Sequence, residues 1–250
     1  MQISYDGTSL VSTPFRVSKL THENADSRVL NLQDLARQRG GVLINAEYKP
    51  KLIRIIGNIT GTDNADLEGN IDEFKELLNR QGKNLDVSYD SGTRRFVATC
   101  QSMKIEREFF NLNYAPFEVE MLIPAGVGYD ITTTSTILSA QTSKTLTSSL
   151  TIAGTAEPKV KMTITVTAAT AITACFFLIN GYKITLTNAL VANDVVIFDA
   201  DTMKVTLNGV EKDYTGIFPD WVIGINAYYL EITGTSITYD LTFSYIKTYL

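Results

Sequence analysis

His22 is the single histidine among 250 residues. A Ser–His–Asp or Cys–His machine would have to use it, because the imidazole is the base that takes the nucleophile's proton. It stands in Thr21-His22-Glu23-Asn24, with no Gly-x-Ser-x-Gly context and no cysteine near it in sequence, and it reads as a loop residue. Cys100 and Cys175 lie in different parts of the chain. With one histidine they do not make a usual zinc ligand set, and they read as reduced thiols rather than a disulfide framework. Phosphate loops and dinucleotide fingerprints are absent; Gly126 and Gly128 are two glycines in a linker. No cofactor is implied.

Carboxylates remain, because a glycosidase needs only two. Glu106/Glu108 and Glu118/Glu120 are spaced i, i+2, which on a strand puts each pair on one face about 7 Å apart. In Phe117-Glu118-Val119-Glu120-Met121 the apolar residues take the alternate positions. These glutamates therefore read as the solvent side of a half-buried strand. Asp199 and Asp201 suggest a calcium loop, but the glycine and distal glutamate of an EF-hand are missing, so a turn between strands is expected. Trp221, Tyr228 and Tyr229 cluster late in the chain and are candidates for stacking on sugar rings, with a place in the core as the alternative.

Those residues must be carried by strands. Leu52 to Ile59 is β-branched and bounded by Pro50 and Gly61. Thr62-Asp63-Asn64-Ala65-Asp66 then offers N-cap residues and negative charge where a helix start favours both. Leu67, Ile71, Phe74, Leu77 and Leu78 follow at spacings of three or four and line one face of a helix of about four turns, with Gly82 as its stop. Leu85–Tyr89, a turn at Asp90-Ser91-Gly92, and Arg94–Cys100 spell a hairpin. Strands at 102–110 and 114–123 complete the half. Residues 22–41 are long for a connection, carry Arg28, Arg37 and Arg39 with Asp26 and Asp34, and read as a short helix around Leu32 to Arg37, a mobile loop, or a segment ordered by a partner.

The chain divides near its middle. Residues 132–151 hold 13 serines and threonines and one charge, Lys144, and read as a linker or exposed connection. The expected organisation is 1–130, a connection at 131–151, and 152–250. Beyond the connection Val160, Met162, Ile164 and Val166 alternate with polar residues. Asn180-Gly181 and Asn208-Gly209 are hairpin turns. The expected class is mainly β: an N-terminal β-sandwich with one helix, then a sandwich or jelly roll.

Composition narrows the function. The chain is 44% apolar and 20% charged, with a net charge of −5. That suits a packed protein and not a binder of bare nucleic acid, where phosphate neutralisation dominates. The longest apolar run, Ala174 to Ile179, is far below the roughly 20 residues that span a bilayer, and the N-terminus has no secretory pattern.

The order of parts resembles phage distal tail proteins. The run Leu52 to Gly61, the helix Leu67 to Leu78, the strand Arg94 to Ala98 and the closing Phe117 to Pro124 are similar to that family's first half. Gly154 to Val160 and Tyr214 to Pro219 are similar to its second. The resemblance implies a hexameric ring at the end of a long flexible tail, joining the tail tube protein to the tip hub and fibre protein, with receptor-binding proteins attached in some phages. It implies a galectin-like C-terminal sandwich, a virion protein made in the host cytoplasm, and no catalytic residues. Under it, residues 22–41 are an arm between subunits, with Arg28, Asp34, Arg37 and Arg39 as candidate interface residues. The alternative is a carbohydrate-binding module that grips host glycan through Trp221, Tyr228 or Tyr229.

Overall fold

The computed structural model describes residues 2–23, 28–34, 41–107 and 113–250. The chain forms two compact units, Met1–Ile131 with Tyr249–Leu250, and Thr132–Thr248. The fold is mainly β, with antiparallel sheets and one helix in the described residues.

The first unit holds β1 (Gln2–Tyr5), β2 (Thr8–Ser9), β3 (Phe15–Glu23), β4 (Arg28–Asp34), β5 (Gly41–Tyr48), β6 (Lys51–Thr60), helix α1 (Asn64–Leu78), β7 (Lys83–Tyr89), β8 (Gly92–Ile105), β9 (Tyr114–Ile123) and the start of β10 (Gly128–Gln141). β8 is the corner strand. Up to Ala98 it pairs with β7, and from Thr99 it pairs with β9, with a register shift between Cys100 and Ser102. A bulge bends and twists a strand, so one strand serves two sheets. Beyond the corner the order is β8-β9-β6-β3. β6 alternates buried and half-buried at every residue, and β9 does the same.

The helix closes this core. Leu67, Ile71, Phe74, Leu77 and Leu78 are all buried, as their spacing predicts. Phe74 lies 5.1 Å from Phe15 and 4.5 Å from Phe117, ring centre to ring centre. Asp63 caps the helix by accepting the Asp66 N–H at 2.9 Å. The Asp66 carboxylate in turn accepts from the Thr62 N–H at 2.7 Å. The stop is Asn79, not Gly82; Gly82 lies in the turn that leads to β7, with φ +61°.

The second unit takes the rest of β10, then β11 (Thr145–Ile152), β12 (Val160–Thr170), β13 (Ala174–Ile179), β14 (Tyr182–Leu186), β15 (Val195–Asp199), β16 (Lys204–Leu207), β17 (Val210–Lys212), β18 (Thr215–Gly216), β19 (Gly224–Thr233) and β20 (Ser236–Tyr249). One sheet runs β17-β16-β15-β12-β20, the other β11-β19-β13-β14-β18. Phe177 of the second sheet meets Phe198 and Phe243 of the first, at 5.2 and 6.4 Å. Side chains from two facing sheets filling one core make a β-sandwich. Both Asn-Gly turns are hairpins: Asn180, Gly181, Asn208 and Gly209 all have positive φ, which the two-residue turn requires.

Two expectations change. The Ser/Thr-rich stretch is not an irregular connection, since residues 132–141 lie in β10 and 145–151 in β11. Threonine is β-branched and suits strands, and β11 pairs with β19 along its whole length. His22 is not a loop residue either; it lies in β3 opposite Ile53.

Candidate functional site

Among the described residues, the chemical groups that the sequence singled out lie apart from one another. Glu118 and Glu120 sit on the half-buried face of β9. Glu118 pairs with Arg54, and Glu120 accepts from the Ser102 hydroxyl at 2.7 Å. Glu106 pairs with Lys104, and Glu108 lies outside the described residues. Asp199 accepts the Asp201 N–H at 3.0 Å, which is turn geometry, and meets Lys161 at 3.1 Å. Burial pushes its carboxyl up, but Lys161 and the backbone N–H groups of Asp201 and Thr202 hold it below its ordinary value. Cys100 and Cys175 are free, and burial raises both thiols, Cys175 to about 12. A thiol so raised carries almost no thiolate and is a poor nucleophile. Among the described residues, no group of three or more His, Cys, Asp or Glu side chains is placed to hold a metal ion.

His22 belongs to a packed cluster. Its Nε2 is 2.6 Å from the Tyr89 hydroxyl, and its ring stacks at 6.1 Å on Tyr89 and tilts at 6.0 Å against Phe96. Burial, with the charges of Lys51 and Arg94 close by, lowers its pKa to about 4. The imidazole is therefore neutral at physiological pH. Arg94 lies over two rings, 4.8 Å from Tyr89 and 4.3 Å from Tyr249. Lys51 is 2% exposed, with its ammonium 5.6 Å from the centre of the Phe96 ring. These contacts fasten the end of β3 and the start of β6.

Between those two strand ends runs a hairpin. β4 and β5 pair only with each other among the described residues, from Arg28 opposite Tyr48 to Asp34 opposite Gly41. Residues 28–34 are thus extended, and no short helix begins at Leu32. Arg28 and Asp34 stand at the two ends of β4; Arg37 and Arg39 lie outside the described residues. The end of β3 faces the start of β6, Glu23 opposite Leu52. The ribbon is therefore an insertion at a hairpin position of an otherwise continuous sheet.

The same sheet ends in two edges; on β3 the Phe15 and Val17 N–H groups bond the Ser12 and Leu10 carbonyls, which leaves Lys19–Glu23 as the open part. Among the described residues β3 pairs only with β6, and β8 beyond Ala98 pairs only with β9. Each neighbour in β3-β6-β9-β8 is antiparallel, so β3 and the end of β8 run in opposite directions. A second copy could add its β3 beside this β8 and keep the alternation. That geometry is head-to-tail.

The sugar-stacking candidates fare differently from one another. Trp221 and Tyr228 are each 3% exposed and pack on Phe243, at 6.2 and 4.7 Å. Neither is an exposed stacking platform, because period-two alternation along β19 turns Tyr228 inward. Tyr229, one residue on, takes the outer face. It sits 5.8 Å from Phe176 and donates to Glu231 at 2.8 Å. Sequence reasoning missed Asn226, which is fully buried and holds the loop before β19 through the Val222 N–H and C=O at 3.0 and 2.7 Å. A polar residue inside an apolar alternating strand was the available signal.

Residues 5–123 match the family described as the phage tail protein RIFT-related domain. Among solved structures, the SPP1 Dit (gp 19.1) protein is 14% identical, with a TM-score of 0.69, covering 100% of this chain and 99% of that one. Its crystal structure is described as a paradigm of the hub adsorption apparatus in phages that infect Gram-positive bacteria. The phage P2 baseplate in its activated conformation with Ca matches at 11% identity and a TM-score of 0.45, over 98% of this chain and 97% of that one. No curated protein matches the sequence.

Proposed function

From a chain whose residues 5–123 match the phage tail RIFT-related family, we propose a ring-forming structural subunit at the distal end of a phage tail. Six copies close the ring, which joins the tail tube protein to the tip hub and its fibres. The subunit has no catalytic role, and it resides in the virion tail tip. The observation that carries this reading is the pair of oppositely directed edges, Lys19–Glu23 of β3 and the end of β8, on one sheet. Exposed edges template pairing with another chain, and a heterologous contact that closes makes a ring. The likeness in fold to the SPP1 hub protein, over nearly the whole of both chains, supports it. The β4–β5 ribbon is the arm that laps a neighbouring subunit, and the second unit is free to carry attachments.

Light scattering and negative-stain microscopy of the purified chain test the ring. A six-fold particle with an open centre is expected; a persistent monomer at high concentration overturns it. The arm is tested by replacing residues 25–49 with two glycines. Because Glu23 already faces Leu52, this bridge leaves a short hairpin and an undisturbed register. The variant keeps its circular dichroism and loses the ring. A ring that still forms removes the arm from the reading and leaves the edge pairing standing.

A further inference from the structure

β10 carries an open edge among the described residues. It pairs with β8 only at Tyr129, opposite Arg95, and Asp130, opposite Arg94, and its other neighbour is β20. From Thr133 to Gln141 no described strand lies on its β8 side. None of those residues is buried, and Ile137 is 60% exposed. Residues 131–143 hold no charge and no proline, two of the devices that ordinarily keep an edge from pairing. A long uncharged edge of β-favouring residues is a template for another strand.

The β4–β5 ribbon has the converse need. Its strands pair only with each other among the described residues. A two-stranded hairpin alone is marginally stable in water, and a third strand supports it. No sheet of the described residues joins the ribbon to β10 within one copy.

In the proposed ring a neighbour's β3 lies beside the end of this β8 and runs the opposite way. That part of β8 runs from Thr99 to Ile105, so the neighbour's β3 arrives with its last residue, Glu23, at the Thr99 end. Its ribbon starts just beyond, at Arg28. From Thr99 back to Arg94, the residue opposite Asp130, β8 spans about 17 Å, and the seven residues of β4 span about 24 Å. The ribbon is therefore long enough to pass Arg94, whose partner Asp130 stands at the head of the open run.

We infer that the ribbon of one copy adds as a strand to β10 of the next, along Thr133–Gln141. The inference rests on the ring reading and names where the arm docks. The N–H and C=O groups of the two edges supply the bonds. Each copy offers one ribbon and one β10, so a closed head-to-tail ring uses every one.

Photo-crosslinking of the full-length protein tests it without knowledge of the register. Ile137 is replaced by p-benzoylphenylalanine, equal amounts of ordinary and nitrogen-15 copies are assembled, and the irradiated particle is digested for mass spectrometry. Cross-links from position 137 to residues 28–48 are expected, with half of them joining an ordinary to a labelled peptide. As a second measurement, Ser135→Lys combined with Ile137→Lys puts charge on the exposed edge. It keeps the circular dichroism and raises the concentration for half-assembly roughly tenfold. An assembled ring whose cross-links stay within one copy, join two β10 strands or miss the ribbon overturns the inference and leaves the ring standing. So does a double-lysine variant that assembles as readily as the parent. A chain that stays monomeric in light scattering overturns the ring itself, and this contact with it.

Discussion

The two units differ in their sheet edges. In the second, β17 is three residues long and carries Glu211 and Lys212, and β18 is two residues long, while the edge strand β11 runs eight residues of mostly serine and threonine. Short, charged edge strands are how proteins prevent unwanted pairing. In the first, β3 offers Lys19–Glu23, its Phe15 and Val17 N–H groups being bonded to Ser12 and Leu10, and β8 continues well past its partner β7. Both units are antiparallel, and each has its own core, so fold class does not explain the contrast. Under the proposed ring, the oppositely directed edges of the first unit's sheet are the ones that other copies continue.

The strongest way to break this comparison is to spoil the open sheet without touching the sandwich. Gly57 lies in the middle of β6, and a Cβ there would meet the Arg16 carbonyl oxygen at 2.5 Å and the Phe117 ring at 2.7 Å. Its φ is ordinary, so the need for glycine is one of space. The neighbours are backbone and a packed ring, which cannot step aside cheaply. Gly57→Val therefore costs about 3 kcal/mol or more. Calorimetry is expected to show the first unit melting early while the second keeps its transition. If both transitions fall together, the two cores are not separate folding units.

How much of this was legible follows from the range of each interaction. The buried stripe of α1, the turn at Asp90-Ser91 and both Asn-Gly hairpins are local, and spacing or turn chemistry alone specified them. The ribbon was missed because β4 and β5, which among the described residues pair only with each other, are joined by a stretch with no tight-turn motif such as Asn-Gly. β10 and β11 were hidden by composition. Their serines and threonines suggest solvation, yet Leu150 and Ile152 of β11 point into the sandwich core. Trp221 and Tyr228 illustrate a third limit. Residue type marks an aromatic as important, but only the strand's facing decides whether it meets solvent or Phe243. The cavity of the second unit draws its walls from residues 157–159, 200–203 and 218–222, a juxtaposition no sequence pattern carries.

Acid sharpens the comparison, because the second unit contains no histidine. The folded His22 has a pKa of about 4, against 6.5 when unperturbed. Its folded value is lowered, so below pH 6.5 the unfolded chain takes a proton that the native one refuses. The stability held above pH 6.5 is lost as the pH falls toward 4. Urea midpoints of the first unit should decline across that window, and in His22→Gln the decline should flatten. A profile that His22→Gln leaves unchanged would assign the acid sensitivity to other groups.

The smallest effect concerns the helix start, and it separates local from tertiary support for the open sheet. Asp63 satisfies the Asp66 N–H, and the Asp66 carboxylate reaches back to the Thr62 N–H and hydroxyl at 2.7 and 3.1 Å. Four N–H groups at a helix start lack intrahelical partners, and this exchange supplies one of them while placing negative charge at the positive end of the helix. Asp63→Ala forfeits about 1 kcal/mol, whereas Asp63→Asn keeps the acceptor and loses only the charge. The first unit should melt roughly 3–5 °C lower in the alanine variant and less in the asparagine one. Five apolar side chains anchor the helix to the core, so neither change should unseat it. Under the proposed ring, assembly should survive both, because the β3 and β8 edges lie on the sheet that the helix covers and not on the helix itself. A ring lost on removal of one cap would mean that the helix, rather than the strand edges, holds the copies together.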